Sequence, residues 1–245
     1  MRSLLARVFM RSFLIQGCWN FEGMQNIGFA FGMAPVIEAV SRTKKERIGL
    51  LTDHLTYFNS HPYFASAIIG AAASAQLQRG AEAGNEIREI KDTLSNPFAA
   101  LGDSLFWSTF KPLFSITAII AAVWGSVLSP VIFLVLYNTV HLWVRGMGFM
   151  HGIRGRMDLM RYVKRMEIPN LSIRLKRITI VLLGLLAASL AFFLPLPMVS
   201  GESAWLRVVP VVTIFIVGLL IKKGVGILTQ IYAFSLIVLL ICWLS

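Results

Sequence analysis

The sequence predicts an all-α integral membrane protein. It has amphipathic and re-entrant or broken helices in its N-terminal part, followed by three or four transmembrane helices. Three observations predict this. Apolar residues are 56% of the 245 and come in long unbroken runs. Charged residues are 14%, too few to cover a water-soluble body of this size, where about a quarter is usual. The charges, net +11, gather between the apolar runs, as in the cytoplasmic loops of membrane proteins.

The elements follow in order. Arg2, Arg7 and Arg11 interleave with Leu4, Leu5, Val8 and Phe9 at helical spacing. That predicts an amphipathic helix on the membrane surface, and the spread arginines break the apolar core a signal peptide needs. Residues 23–37 and 62–78 are uncharged, about half a membrane thickness long, and rich in Gly, Ala, Pro and amides. Such stretches suit re-entrant hairpins or broken helices, where protein or a watery cavity satisfies the backbone. Interrupted segments are also where secondary transporters hold substrate. A partly soluble helical domain over the first 110 residues is the alternative. The mixed-charge runs 42–47 and 79–91 read as solvated loops or helix faces.

The remainder, 112–245, reads as the transmembrane region, against 1–111 as a polar-cluster region. Residues 112–144 lack Asp, Glu, Lys and Arg over 33 positions. They form one tilted span, or two shorter segments meeting at Ser129-Pro130. Further candidates are 178–201, ending at Pro195-Leu196-Pro197, then 205–221 with only Arg207, and 225–245. Nine of the 23 Lys and Arg lie in 145–177, predicting a basic cytoplasmic loop. The Lys222-Lys223-Gly224 corner should share that side, with Glu202 and the C-terminus facing outward.

Several function classes are excluded. Basicity alone would raise nucleic acid as a partner, but no nucleic-acid motif is present, and attraction to anionic membrane lipid accounts for it. Cys18 and Cys242 have neither metal nor disulfide spacing and read as packed, reduced thiols. There is no Walker A motif, nucleophile elbow, zinc spacing or dinucleotide fingerprint. No catalytic residue, metal or cofactor is expected in this chain.

Three clusters can carry chemistry. In the first, 16–28, a helical reading puts Glu22, Gln25 and Asn26 on one face, with Asn20 and Trp19 nearby. Carboxylate and amide groups beside an aromatic ring suit a sugar, because hydroxyls donate to both and accept from amides. The alternative is bonding to neighbouring helices. In the second, 54–64, Pro62 pushes His61 out of helical geometry, and Asn59 or Ser60 could cap the helix that Pro62 begins. In the third, 96–112, Asp103 is either an N-cap or a pathway residue. Asp103, Trp107 and Lys111 recur every four residues, so they share a face.

These clusters, in this order, resemble component IID of the mannose/fructose/sorbose family of the bacterial phosphotransferase system. The matching residues are Gly17-Cys18-Trp19-Asn20-Phe21-Glu22 with Met24-Gln25-Asn26 and Gly28-Phe29-Ala30. Next come His54-Leu55 with Tyr57-Phe58-Asn59-Ser60-His61-Pro62-Tyr63, and Leu101-Gly102-Asp103-Ser104-Leu105-Phe106-Trp107 with Pro112. The basic central stretch and the Leu220-Ile221-Lys222-Lys223-Gly224 corner agree more loosely. Gly23 departs from the family pattern, which has a bulkier, often basic residue there, and the chain is somewhat short.

The resemblance implies a multi-pass subunit of the bacterial cytoplasmic (inner) membrane. With a IIC subunit it would form the path for a mannose-type hexose, phosphorylated on entry by IIB, which takes phosphate from IIA. It also implies a trimer of IIC–IID pairs with an elevator-like motion. Asn20, Glu22, Gln25, Asn26, Asn59, His61, Asp103 and Trp107 are then the expected sugar-binding or cavity-lining residues. The alternatives are a membrane scaffold or sensor regulating carbohydrate uptake, and a sugar transporter driven by an ion gradient.

Overall fold

The computed structural model describes residues 1–193 and 209–244 and contains helices and turns, with no strand among the described residues. The expectations placed on Pro195-Leu196-Pro197, Glu202 and Arg207 lie outside them.

The N-terminal amphipathic helix is present as α1 (Arg2–Ser12), laid along α2 (Asn26–Val40). Pro35 sits inside α2 and has no N–H for the carbonyl four residues earlier, that of Phe31. Arg11 covers this gap, with its guanidinium 3.5 Å from the Phe31 carbonyl oxygen and 4.7 Å above the Phe31 ring. The 13–25 stretch between the two helices is a series of turns, and Cys18 within it is free and exposed, not packed as expected.

Helix α3 (Lys44–His54) starts on Thr43, whose hydroxyl accepts from the Glu46 N–H. Helix α4 (Pro62–Arg79) is the centre of the fold, with every residue from Phe64 to Gln76 buried. Neither half-length segment forms a hairpin: 23–37 and 62–78 each enter a single helix. Gly80, at φ +57°, and the 3₁₀ turn Gly80–Ala83 reverse the chain into α5 (Gly84–Gly102).

Helix α5 continues without a break through a π-helical segment, Asp103–Phe110, into α6 (Lys111–Val123). The π winding has a local cause. Pro112 supplies no N–H, and the Lys111 N–H reaches back five residues to the Phe106 carbonyl. The Thr109 hydroxyl also donates to the Ser104 carbonyl at 2.7 Å.

The uncharged 112–144 run is two segments: α6 ends at Val123 and α7 (Ser129–Ile153) begins after a turn at Gly125, φ +87°. Helix α7 runs parallel to α4, because contacts advance together along both. Tyr63 meets His141, Ser66 meets Arg145, and Gly70 meets Phe149. The basic 145–177 stretch is not a loop. It comprises the end of α7, then α8 (Arg156–Arg165), set off by Gly155 at φ +113° and Glu167 at φ +43°, then the start of α9 (Ile168–Phe193). Its apolar surroundings keep it helical: Leu159 of α8 is fully buried, and Tyr162 and Val163 pack on the same core.

Helix α9 lies against α6, with Trp124 Nε1 donating to Ser189 Oγ at 3.1 Å. Helices α10 (Val209–Lys222) and α11 (Ile227–Leu244) meet at the Lys222-Lys223-Gly224 corner. There Gly224, at φ +85°, lets the Val225 N–H close on the Leu220 carbonyl. Two of the described helical stretches, 62–123 and Ser129–Ile153, are long and apolar enough to cross a membrane.

Candidate functional site

The first cluster is a turn, not a helix, so Glu22, Gln25 and Asn26 share no helical face. Asn20 and Met24 exchange backbone hydrogen bonds at 3.1 and 2.9 Å, and Asn20 Oδ1 accepts from the Gly23 N–H at 2.7 Å. Asn20 Nδ2 donates to Asn26 Oδ1 at 3.0 Å, while Asn26 Nδ2 donates to the Leu55 carbonyl at 2.7 Å. Both asparagines therefore bind the turn to itself and to the second cluster. Gly23 is matched to this arrangement: a Cβ there would overlap the Asn26 amide.

Gln25 joins the first two clusters. It is buried, its Nε2 donates to the Ser60 carbonyl at 2.9 Å, and its Oε1 accepts from the Ser60 N–H at 3.1 Å. Backbone bonds extend the seam, with the Gln25 N–H on the Phe58 carbonyl at 2.8 Å. Ser60 Oγ then donates to the Ser95 carbonyl of α5 at 3.2 Å, which brings in the third element. Asn59 is half-buried beside it.

His61, rather than Asn59 or Ser60, caps α4. Its Nδ1 accepts from the Tyr63 N–H at 3.3 Å, and Pro62 takes the first helical position. This bond places the proton of the neutral ring on Nε2, which is buried and has no partner. The ring stacks on Phe106 at 5.2 Å and 14°, with Trp107 edge-on at 5.9 Å. His61 and Trp107, expected on separate clusters, therefore touch.

Asp103 is no N-cap, because it lies in continuous helix at φ −60°, ψ −44°. It is exposed, as are Trp107 and Lys111, and the Lys111 ammonium lies 4.9 Å from the Trp107 ring centroid. Glu22 is exposed too, flanked by the exposed rings of Trp19 and Phe21. Among the described residues neither the Glu22 nor the Asp103 carboxylate has a hydrogen-bond or ion-pair partner. The site thus consists of a bonded frame of amides and backbone that carries two uncommitted carboxylates.

Two cations that the sequence places in a solvated run and in a loop, Lys91 and Arg145, are instead buried and fix this frame. Lys91 of α5 donates to the His54 carbonyl at 2.9 Å and to Thr56 Oγ1 at 3.0 Å, and covers the Phe29 ring at 4.3 Å. His54 is the last residue of α3, so the ammonium sits at the negative end of that helix. The His54 Nε2–H faces Gln76 Oε1 at 3.0 Å, and burial lowers its pKa to about 4. These groups line a polar cavity of about 130 Å³ with Arg88 and Asn85. Arg145 of α7 donates to the Ser12 carbonyl at 2.9 Å, ending α1 in the same way, and to the Pro62 carbonyl at 3.0 Å. The available signal was a cation within each apolar stripe: Lys91 four residues after Ile87 and three before Leu94, and Arg145 four residues before Phe149.

Helices long enough to span a bilayer, one with a π-helical interruption beside a polar frame, define a helical membrane protein. The chain belongs to the mannose/fructose/sorbose family of phosphotransferase-system IID components, whose family profile matches residues 2–245. It is 39% identical over 158 residues to the mannose-specific EIID component of Escherichia coli K12, covering 63% of this chain and 56% of that protein. It is 31% identical over 165 residues to the fructose permease IID component of Bacillus subtilis, covering 66% of this chain and 56% of that protein. The sorbose-specific EIID component of Klebsiella pneumoniae is 30% identical over 158 residues, 63% of this chain and 58% of that one. The alignments thus span little more than half the length of these curated relatives.

Two solved structures are similar over 98% of this chain and 95% of theirs, each at 28% identity. One, described as a membrane protein, has a TM-score of 0.73; the other, a cryo-EM structure of the mannose transporter ManYZ with microcin E492, has a TM-score of 0.59.

Proposed function

We propose that this chain is the IID subunit of a phosphoenolpyruvate-dependent sugar permease, a multi-pass protein of the bacterial cytoplasmic membrane with three or four spans. With a IIC subunit it lines the path of a mannose-type hexose, which IIB phosphorylates on entry using phosphate from IIA. The pairs assemble as a trimer. This chain does no covalent chemistry. Its part is to hold hydroxyl-binding groups in a place sheltered from lipid.

The observation that carries this reading is the pair of uncommitted carboxylates, Glu22 and Asp103, on a frame whose amides are already bonded. A carboxylate accepts from sugar hydroxyls, and the exposed rings of Trp19 and Trp107 offer faces for the C–H side of a hexose. Asn20, Gln25 and Asn26 then set the shape of the cavity more than they touch sugar. Asn59 and His61 lie next to its wall.

The test is uptake of labelled mannose, fructose and sorbose by cells expressing this chain with its IIC, IIA and IIB partners. Glu22→Ala and Asp103→Ala should each lower phosphoenolpyruvate-dependent uptake at least about tenfold, a loss of about 1.4 kcal/mol, while IIC still co-purifies. Wild-type uptake by both variants refutes the site. Accumulation of unmodified sugar without a phosphoryl donor refutes the phosphotransfer reading.

A further inference from the structure

Tyr137, His141 and Arg145 recur every four residues along α7 and form one stripe. The stripe faces the start of α4. Tyr63 stacks on His141 at 4.4 Å and 26°, meets Tyr137 edge-on at 6.1 Å, and lies 5.7 Å below the Arg145 guanidinium carbon. His61 adjoins through Tyr63 at 5.0 Å. These five residues belong to helical segments read as membrane-embedded or to the cap of one of them, where polar and ionisable groups are costly without partners.

Donors outnumber acceptors in this cluster. Arg145 is 3% exposed and spends two nitrogens on the Ser12 and Pro62 carbonyls, but its Nε is buried without a partner. The His61 Nε2–H is buried without a partner as well, and so is His141 Nδ1. The sequence has no Asp or Glu from 104 to 157, so the chain brings no negative charge to Arg145 along α6 or α7. Tyr63, Tyr137 and His141 are only half-buried, which leaves the cluster open to whatever covers that side of the chain. Lipid tails offer no acceptor there. A sugar hydroxyl could accept a hydrogen bond but would leave the guanidinium charge unmatched.

We infer that Tyr137 and His141, backed by Arg145, are the seat for a carboxylate on a membrane helix of a partner chain. The carboxylate accepts from the imidazole and from the Tyr137 hydroxyl, and balances the buried guanidinium behind them. This contact rests on reading the chain as one subunit of a membrane complex. It lies on α7, whereas Glu22 and Asp103 lie on the turn and the π-helical segment.

The test is co-purification of the IIC partner on a tagged form of this chain in mild detergent. His141→Asp places like charges together and should lower retained partner at least about tenfold. Tyr137→Phe, which keeps the ring, should lower it measurably, while Trp143→Ala on the same helix should not. Lysine placed singly at each intramembrane Asp or Glu of the partner should restore the complex with His141→Asp at one position. Wild-type retention by both His141→Asp and Tyr137→Phe overturns the inference, as does loss with no rescuing position. Unchanged assembly with a raised KM for sugar also overturns it, in favour of a sugar contact. If the wild-type chain retains no partner, the subunit reading fails instead.

Discussion

Gln25 and Ser60, 35 residues apart, pair like two backbone units: the amide donates to the Ser60 carbonyl at 2.9 Å and accepts from the Ser60 N–H at 3.1 Å. A side chain thus does the work of a strand neighbour and fastens the 20–24 turn to the entry of α4. Gln25→Leu removes both bonds and strands two buried backbone groups, with a loss of about 2–4 kcal/mol. Gln25→Glu keeps the acceptor but sets a buried carboxylate oxygen against the Ser60 carbonyl, and should lose at least as much. Thermal unfolding of detergent-purified protein gives the order. Equal stability for Leu and wild type would show that the pair holds nothing.

Gly102 abuts the His61 ring so closely that a Cβ would overlap Cβ and Cγ of the imidazole. Gly102→Ala must push His61 off its stack on Phe106 or out of its capping bond to the Tyr63 N–H. Overpacking of this kind costs about 1–3 kcal/mol. Gly102→Ala combined with His61→Gly should recover part of that loss, because it removes both the Cβ and the ring that the new methyl would overlap. Melting temperatures of the four proteins in the cycle measure the coupling, and strict additivity would disprove the contact.

How far the sequence revealed this arrangement differs between elements. The amphipathic α1 and the uncharged α11 follow directly from charge spacing, a local property. The three polar clusters were legible as motifs, but not their mutual geometry. Gln25 and Asn26 looked like ligand groups because a helical reading put them on one face with Glu22; in the structure they bond to Ser60 and Leu55 across the fold. Nothing local distinguishes an amide that binds sugar from one that binds a distant carbonyl. Arg145 was hidden for a related reason. It stands at the head of a basic stretch and looks like a loop residue until α4 packs beside it and its guanidinium caps α1.

His54 provides a pH signature. Its neutral ring is buried against Gln76 and near Lys91, and burial holds its pKa at about 4 against an ordinary 6.5. The unfolded chain takes up a proton below pH 6.5 that the folded chain refuses until about pH 4. Stability should therefore be full above that window and fall as pH drops through it, by up to roughly 3 kcal/mol. His54→Asn should flatten the dependence by close to one proton. The reading is the unfolding midpoint at a series of pH values, and an unchanged slope in the variant would assign the effect elsewhere.

Three glycines of α7 set up a graded test of the α4–α7 crossing. A Cβ at Gly146 meets nothing within 4 Å, one at Gly148 would lie 3.0 Å from the Ala67 Cβ, and one at Gly152 would overlap the Ala67 carbonyl and approach the Ala71 nitrogen at 2.9 Å. Alanine is the better helix former by about 1 kcal/mol, so Gly146→Ala should stabilise by up to that amount. At Gly148 the gain in propensity and the tight contact with a side-chain methyl oppose each other, and the net change should be small. At Gly152 the obstacle is backbone, which cannot rotate away. The parallel helices must separate there, and with them Ser66 from the Arg145 carbonyl, now at 3.0 Å. A loss above about 3 kcal/mol is expected, beyond ordinary overpacking because two whole helices must move. Melting temperatures should rank Gly146→Ala above wild type, Gly148→Ala near it and Gly152→Ala far below. A Gly152→Ala protein as stable as Gly148→Ala would mean that α4 and α7 do not cross at this distance, and the seating of Arg145 between α1 and α4 would fall with it.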